Sequence, residues 1–315
     1  MGEMASTLEA FGLELAELGS RRREVLALVA DTLKTMAVQH LADARPEQVL
    51  NFGIMEQAMV TAAAGLATCG KIPVVATYSV FLSLRTLEQL RTMICVPKLN
   101  VKFAAGLGGL SGGTLGPTHQ ATEDMSVVRG IPNLTVIVPT DAVGMRRALR
   151  ASVEWQGPVY LRVGGACPVV HGADYHFRIG QANQLLNLGA DATIIANGIM
   201  VAKALTAADE LKRQGVRVRV VEMPTLKPLD EEAVVQAARE TGAIVTAEES
   251  NVLGGLGGAV AEVLGERWPV PLRRVGIADR YGDTGLYSSL QELLGLTPSA
   301  IVEAVRVVVA RKKSG

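Results

Sequence analysis

Asn51-Phe52-Gly53-Ile54-Met55-Glu56-Gln57 leads into Ala58-Met59-Val60-Thr61-Ala62-Ala63-Ala64-Gly65-Leu66-Ala67, and after Glu56 the run carries no charge. The pattern predicts a helix over 56–68 of small and aliphatic side chains with a single carboxylate at its head. Such a carboxylate is poorly solvated. Desolvation disfavours its charged form and raises its pKa, which makes an acid a useful proton donor near neutrality. The plain alternative is an acid complementing the positive end of the helix macrodipole.

Short β-branched runs flank this helix at 24–30 and 73–78. The alternation continues with strands expected at 99–105, 134–139 and 158–163, and helices at 83–94, 121–130 and 142–155. Asp141 stands where it would cap the last of these. A second series follows residue 185, with strands at 192–197, 216–222, 243–247 and 273–277 and helices at 201–214, 230–240, 258–265 and 298–310. Strands alternating with helices argue for an α/β fold of two domains, each a mostly parallel sheet flanked by helices. Periodicity weakens and glycine and proline cluster at 164–185. The domains are therefore set at 1–170 and 185–315, with a linker at 171–184.

The 315 residues are long enough to bury a substantial core. The 31 basic residues balance 31 acidic ones, which gives no electrostatic footprint for nucleic acid or an anionic membrane. Cys69, Cys95 and Cys167 are widely spaced and odd in number, which suits thiols in a reducing cytoplasm better than disulfides or a zinc site. The N-terminus shows no signal peptide, and no uninterrupted apolar run approaches membrane-spanning length. Met1-Gly2 with Ser6 formally fits a myristoylation pattern, but no second anchoring signal accompanies it.

Three further segments carry chemistry. Gly112-Gly113-Thr114-Leu115-Gly116-Pro117-Thr118-His119-Gln120-Ala121-Thr122-Glu123-Asp124 follows an apolar strand, where ligands bind at the carboxyl ends of parallel sheets. Tyr78-Ser79-Val80-Phe81-Leu82-Ser83-Leu84-Arg85 ends another strand with two aromatics that could stack on a flat heterocycle or simply pack in the core. Pro158-Val159-Tyr160-Leu161-Arg162 ends in an arginine suited to an anion or to a surface salt bridge. A lone loop histidine such as His119 is, by itself, as compatible with a structural role.

Together, and in this order, these segments resemble the transketolase family, with similar motifs in deoxyxylulose-phosphate synthase. Gly276-Ile277-Ala278-Asp279-Arg280-Tyr281-Gly282-Asp283-Thr284-Gly285 resembles a turn of that family's C-terminal domain. The resemblance covers about 5–312 and matches only the pyrimidine-binding and C-terminal domains. It implies thiamine diphosphate as cofactor, with Glu56 hydrogen-bonding N1′ of the aminopyrimidine and so assisting deprotonation of the thiazolium carbon. It also implies Tyr78 and Phe81 as walls around the pyrimidine, with Ile54 beside them. His119 would contact substrate hydroxyls or carbonyl, Arg162 the phosphate of a sugar phosphate, and Arg85 the substrate. The spacing after Phe81 differs by one residue from full-length members.

The family holds the diphosphate and Mg²⁺ with Gly-Asp-Gly and a later Asn, a pattern lacking here; Gly282-Asp283-Thr284 is the nearest and is out of order. The resemblance therefore implies an N-terminal partner subunit carrying the diphosphate and metal site, in an α2β2 assembly packed on the Ala58, Ala62, Gly65 face. Leu115 replaces a family acid that recognises a sugar hydroxyl, and Leu107 lies near a replaced histidine, so a less hydroxylated or differently configured donor is expected. The leading expectation is ketol transfer between sugar phosphates. The alternatives are a deoxyxylulose-phosphate synthase-like or other acyloin-forming subunit, the β-subunit of a 2-oxo acid dehydrogenase, and a non-catalytic docking homologue.

Overall fold

The computed structural model describes residues 3–314, so Met1 and Gly2 of the myristoylation pattern lie outside the described residues. The strands in chain order are β1 (Met4–Ser6), β2 (Val25–Val29), β3 (Val49–Asn51), β4 (Ile72–Tyr78), β5 (Lys102–Gly106), β6 (Thr135–Ile137) and β7 (Val159–Arg162). There follow β8 (Ala166–Pro168), β9 (Asn183–Asn187), β10 (Ala192–Ala196), β11 (Val218–Glu222), β12 (Thr225–Lys227), β13 (Ile244–Asn251) and β14 (Leu272–Ile277). They form a seven-stranded sheet ordered β12-β6-β7-β5-β4-β2-β3, a five-stranded sheet ordered β14-β13-β10-β11-β9, and the β1-β8 ribbon. Both large sheets are mostly parallel and flanked by helices, the two-domain α/β architecture that strand–helix alternation dictates. The antiparallel exceptions are edge strands: β9 on β11 and β12 on β6.

The helix Glu56–Thr68 begins and ends where its composition places it. Asp141 caps the helix Ala142–Glu154 by accepting from Gly144 N at 2.8 Å. The expected helix over 83–94 forms instead as a π-helical turn at Phe81–Arg85, a short α turn, and a second π turn at Leu90–Cys95. The i→i+5 bonds Thr86 N to Phe81 O and Val96 N to Arg91 O define the two wide turns.

Three features lie outside the sequence expectation. The helix Thr7–Arg21 opens on the Ser6 cap. The strand β12, from beyond the linker, completes the edge of the first domain's sheet. The stretch Tyr287–Lys312 is long and apolar enough by length and composition to cross a bilayer, with a mean hydropathy of 1.7. It is broken into the helices Tyr287–Leu293 and Pro298–Ser314. Its Leu290, Ile301, Val305 and Val308 are buried in the second domain's core.

Candidate active site

Glu56 is the first residue of its helix, and its side chain is 3% exposed. Its Oε1 accepts from Arg85 Nη1 at 2.8 Å. Arg85 comes from the first π turn, which also carries Phe81, and its guanidinium carbon lies 4.0 Å from the centre of the Phe81 ring. That stacking is a cation–π contact. Arg85 is thus committed to the Glu56 carboxylate and the Phe81 face.

Tyr78 at the end of β4, Phe81 and His119 gather into one cluster. The ring centroids are 5.8 Å apart for Tyr78 and Phe81, 5.8 Å for Tyr78 and His119, and 5.4 Å for Phe81 and His119. His119 reaches them from the loop after β5. Its Nδ1 shares a hydrogen bond of 3.0 Å with the Thr118 hydroxyl, and among the described residues Nε2 has no partner. Ile54 and Met55, just before Glu56, are 71% and 60% exposed. Four separate elements therefore bring Glu56, Arg85, Tyr78, Phe81 and His119 together beside an exposed apolar edge. Aromatic walls next to a buried carboxylate suit a flat, hydrogen-bonding heterocycle.

The His119 loop is tightly folded. Gly113–Leu115 forms a single 3₁₀ turn, and Gly116 takes φ +79°, a conformation open to glycine. Leu115 is half exposed, and Leu107 holds φ +52°, which is strained for a leucine.

Arg162, expected to take a phosphate, is bonded within the protein. It ends β7 with its side chain 6% exposed. Its Nη2 and Nε donate to Asp124 Oδ1 and Oδ2 at 2.8 and 3.0 Å, while Nη1 donates to Glu249 O and Nη2 also to Ala121 O, both at 2.8 Å. Tyr160 donates its hydroxyl to Asp124 as well, at 3.2 Å. An arginine spent on a buried bidentate pair and two carbonyls has little left for a phosphate. Gly108 makes this possible: a Cβ there would lie 2.7 Å from Arg162 Cγ. Nearby Glu249 accepts from Tyr287 Oη and Leu110 N, and burial drives its carboxyl pKa up, against the opposing charge of Arg162.

Sequence reasoning missed the second domain's reach into this loop. Gln120 Nε2 donates to Asp283 O at 2.8 Å, Gly285 N donates to Gly113 O at 3.1 Å, and Asn251 N donates to Thr122 O at 2.7 Å. The closely spaced glycines of 276–285 were the available signal.

Two family models match the chain: the transketolase pyrimidine-binding domain over residues 3–164 and the transketolase C-terminal domain over residues 180–301. A 6-deoxy-6-sulfo-D-fructose transketolase subunit from Clostridium sp. (strain MSTE9) is 42% identical over 299 residues, covering 95% of this chain and 92% of that protein. A 1-deoxy-D-xylulose-5-phosphate synthase from Geobacter sulfurreducens is 38% identical over 98% of this chain but only 49% of its own length. A solved structure described as a split gene transketolase, inactive β4 tetramer, superposes with a TM-score of 0.90 at 44% identity, covering 99% of this chain and 100% of that one.

Proposed function

Because the chain belongs to the transketolase family, we propose that it is the C-terminal subunit of a split, thiamine-diphosphate-dependent transketolase that moves a two-carbon ketol unit between sugar phosphates. The observation that carries this reading is the grouping of buried Glu56 with the Tyr78, Phe81 and His119 rings. These residues fit the aminopyrimidine end of the cofactor. The chain lacks Gly-Asp-Gly, so its own residues do not fit the diphosphate end.

When bound, thiamine diphosphate supplies the carbanion-stabilising centre of the reaction. Glu56 would hydrogen-bond N1′ of the pyrimidine through its buried carboxyl group. It must then share or exchange its bond to Arg85, which places Arg85 at the cofactor end of the site. Tyr78 and Phe81 fix the plane of the ring, and Ile54 lines its edge. His119 presents Nε2 to the substrate. Leu115 and Leu107 offer no hydrogen bond, which favours a donor with fewer hydroxyls to satisfy or a different configuration.

In this reading residues 1–170 are the pyrimidine-binding domain and 185–315 the C-terminal domain. An N-terminal partner subunit holds the diphosphate and Mg²⁺, and two copies of each subunit assemble. The exposed Ile54 and Met55 edge supports a partner surface. So does the inactivity stated for the related β4 tetramer. The free thiols Cys69, Cys95 and Cys167 are consistent with a cytoplasmic setting. Reconstitution tests the proposal: ketol transfer should appear on mixing with the N-terminal subunit, and Glu56→Gln should lower kcat by roughly 10²- to 10⁴-fold. Wild-type turnover by that variant, or by this chain alone, would sink it.

A further inference from the structure

The second domain of the chain does not merely sit beside the His119 loop; its turn 282–285 is interlocked with it. A Cβ on Gly282 would lie 2.3 Å from Gln120 Oε1, one on Gly113 would lie 2.7 Å from Gly285 O, and one on Gly116 would lie 2.6 Å from Thr284 Oγ1. Two hydrogen bonds close the same seam, Gln120 to Asp283 O and Gly285 N to Gly113 O. Gln120 is buried although it neighbours His119 directly, and among the described residues its Oε1 has no hydrogen-bond partner. Its amide is therefore held by packing against Gly282 and by a single bond to the turn. The ring contacts of Tyr78 and Phe81 and the Arg85 bond to Glu56 are made without this turn.

We propose that the turn Gly282-Asp283-Thr284-Gly285 is a positioning element for His119: it sets where the imidazole stands over the Tyr78–Phe81 wall by holding Gln120 and Gly113 on either side of it. The C-terminal domain thereby acts on the substrate step of the reaction without touching cofactor or substrate. That consequence rests on the transketolase reading, whereas the placement of His119 does not.

The turn supplies its own control. Gly282→Ala forces Gln120 to move, whereas a Cβ on Gly285, three residues on, meets nothing closer than Leu290 Cδ2 at 3.5 Å. The chain has four histidines, so the ring resonances of the isolated, histidine-labelled chain can be assigned by substitution. Gly282→Ala should displace the His119 resonances and leave those of His40 and His171 in place, and Gly285→Ala should leave all of them. Gln120→Leu, which removes the bond to Asp283 without adding an atom at the turn, should reproduce the Gly282→Ala displacement. In the reconstituted complex, Gly282→Ala should lower kcat/KM for the donor by on the order of tenfold or more, because misplacing a reacting group by about 1 Å costs up to about 10²-fold. Thiamine diphosphate affinity should stay within about twofold, since the turn lies outside the ring wall. Unmoved His119 resonances in both Gly282→Ala and Gln120→Leu overturn the inference, as does cofactor affinity falling in step with turnover. A wild-type complex without ketol transfer overturns the functional reading instead, and the resonances still decide the positioning.

Discussion

Two arginine–carboxylate pairs stand at the carboxyl ends of the first domain's parallel strands, one beyond β4 and one on β7, and each closes at 2.8 Å. Arg85 makes that one bond to Glu56, lies over an aromatic ring and is 44% exposed. Arg162 binds Asp124 through two atoms, bonds two carbonyls from different domains and is 6% exposed. The resemblance assigns both arginines to the substrate. A buried, saturated pair is a fastener, whereas an arginine with a single bond and half its surface exposed keeps donors to spare. Desolvation makes the first kind costly to break, whereas the second stays exchangeable.

The comparison can be broken most directly at Arg162. Arg162→Ala leaves Asp124 buried without its cation, so denaturant unfolding should show a loss of about 3–5 kcal/mol. A loss below about 1 kcal/mol would place Arg162 with the exchangeable group.

A third buried cluster extends the contrast to pH. His171 lies 3.1 Å from Asp141, 3.2 Å from Glu222 and stacked at 3.6 Å on Tyr175, whose hydroxyl also donates to Glu222. Burial alone would lower its pKa, but the Asp141 and Glu222 carboxylates outweigh it and raise it to about 9. The folded value exceeds the unfolded one of about 6.5, so the stabilisation is fully present below that pH and is lost as pH rises through about 9. Unfolding free energy should therefore fall by roughly 2–3 kcal/mol across that window. His171→Gln should flatten the fall; an unchanged slope would remove His171 from the saturated class.

Arg85→Ala should cost less, about 1–3 kcal/mol in unfolding, because Glu56 is buried but Arg85 is half exposed and makes a single bond to it. It should nevertheless change thiamine diphosphate affinity in the reconstituted complex. A large stability loss with unchanged affinity would erase the distinction. The smallest effect on the fold is expected from Leu115→Asp, where stability should move by less than about 0.5 kcal/mol because the side chain is half exposed. The readout there is donor preference, which should shift toward more hydroxylated ketoses. An identical donor ranking would show that Leu115 does not face the substrate.

Where local pattern decides, the sequence was readable. The helix Glu56–Thr68 and the Asp141 cap need only neighbouring residues. The strand-end aromatics and the loop histidine were likewise visible as candidates, and the fold brings them within 6 Å of one another. What stayed hidden depends on distant partners. Glu14 interrupts the apolar stripe of the helix Thr7–Arg21, yet it is fully buried because Arg146 and Arg150 cover it. Arg162 meets an aspartate 38 residues earlier, and nothing in either segment names the other. The π turns after β4 keep a helical appearance in sequence while widening the path that carries Phe81 and Arg85.

The short strand β12 has a consequence for how such a chain can be divided. It pairs Thr225 with Ile137 and Lys227 with Val136, and Lys227 also ties down the carbonyls of Arg129 and Ile131. A chain severed between β8 and β9 would leave β6 as a bare, hydrophobic sheet edge, a template for aggregation. The first sheet is therefore finished by chain that belongs in sequence to the second, and the two domains are not interchangeable modules.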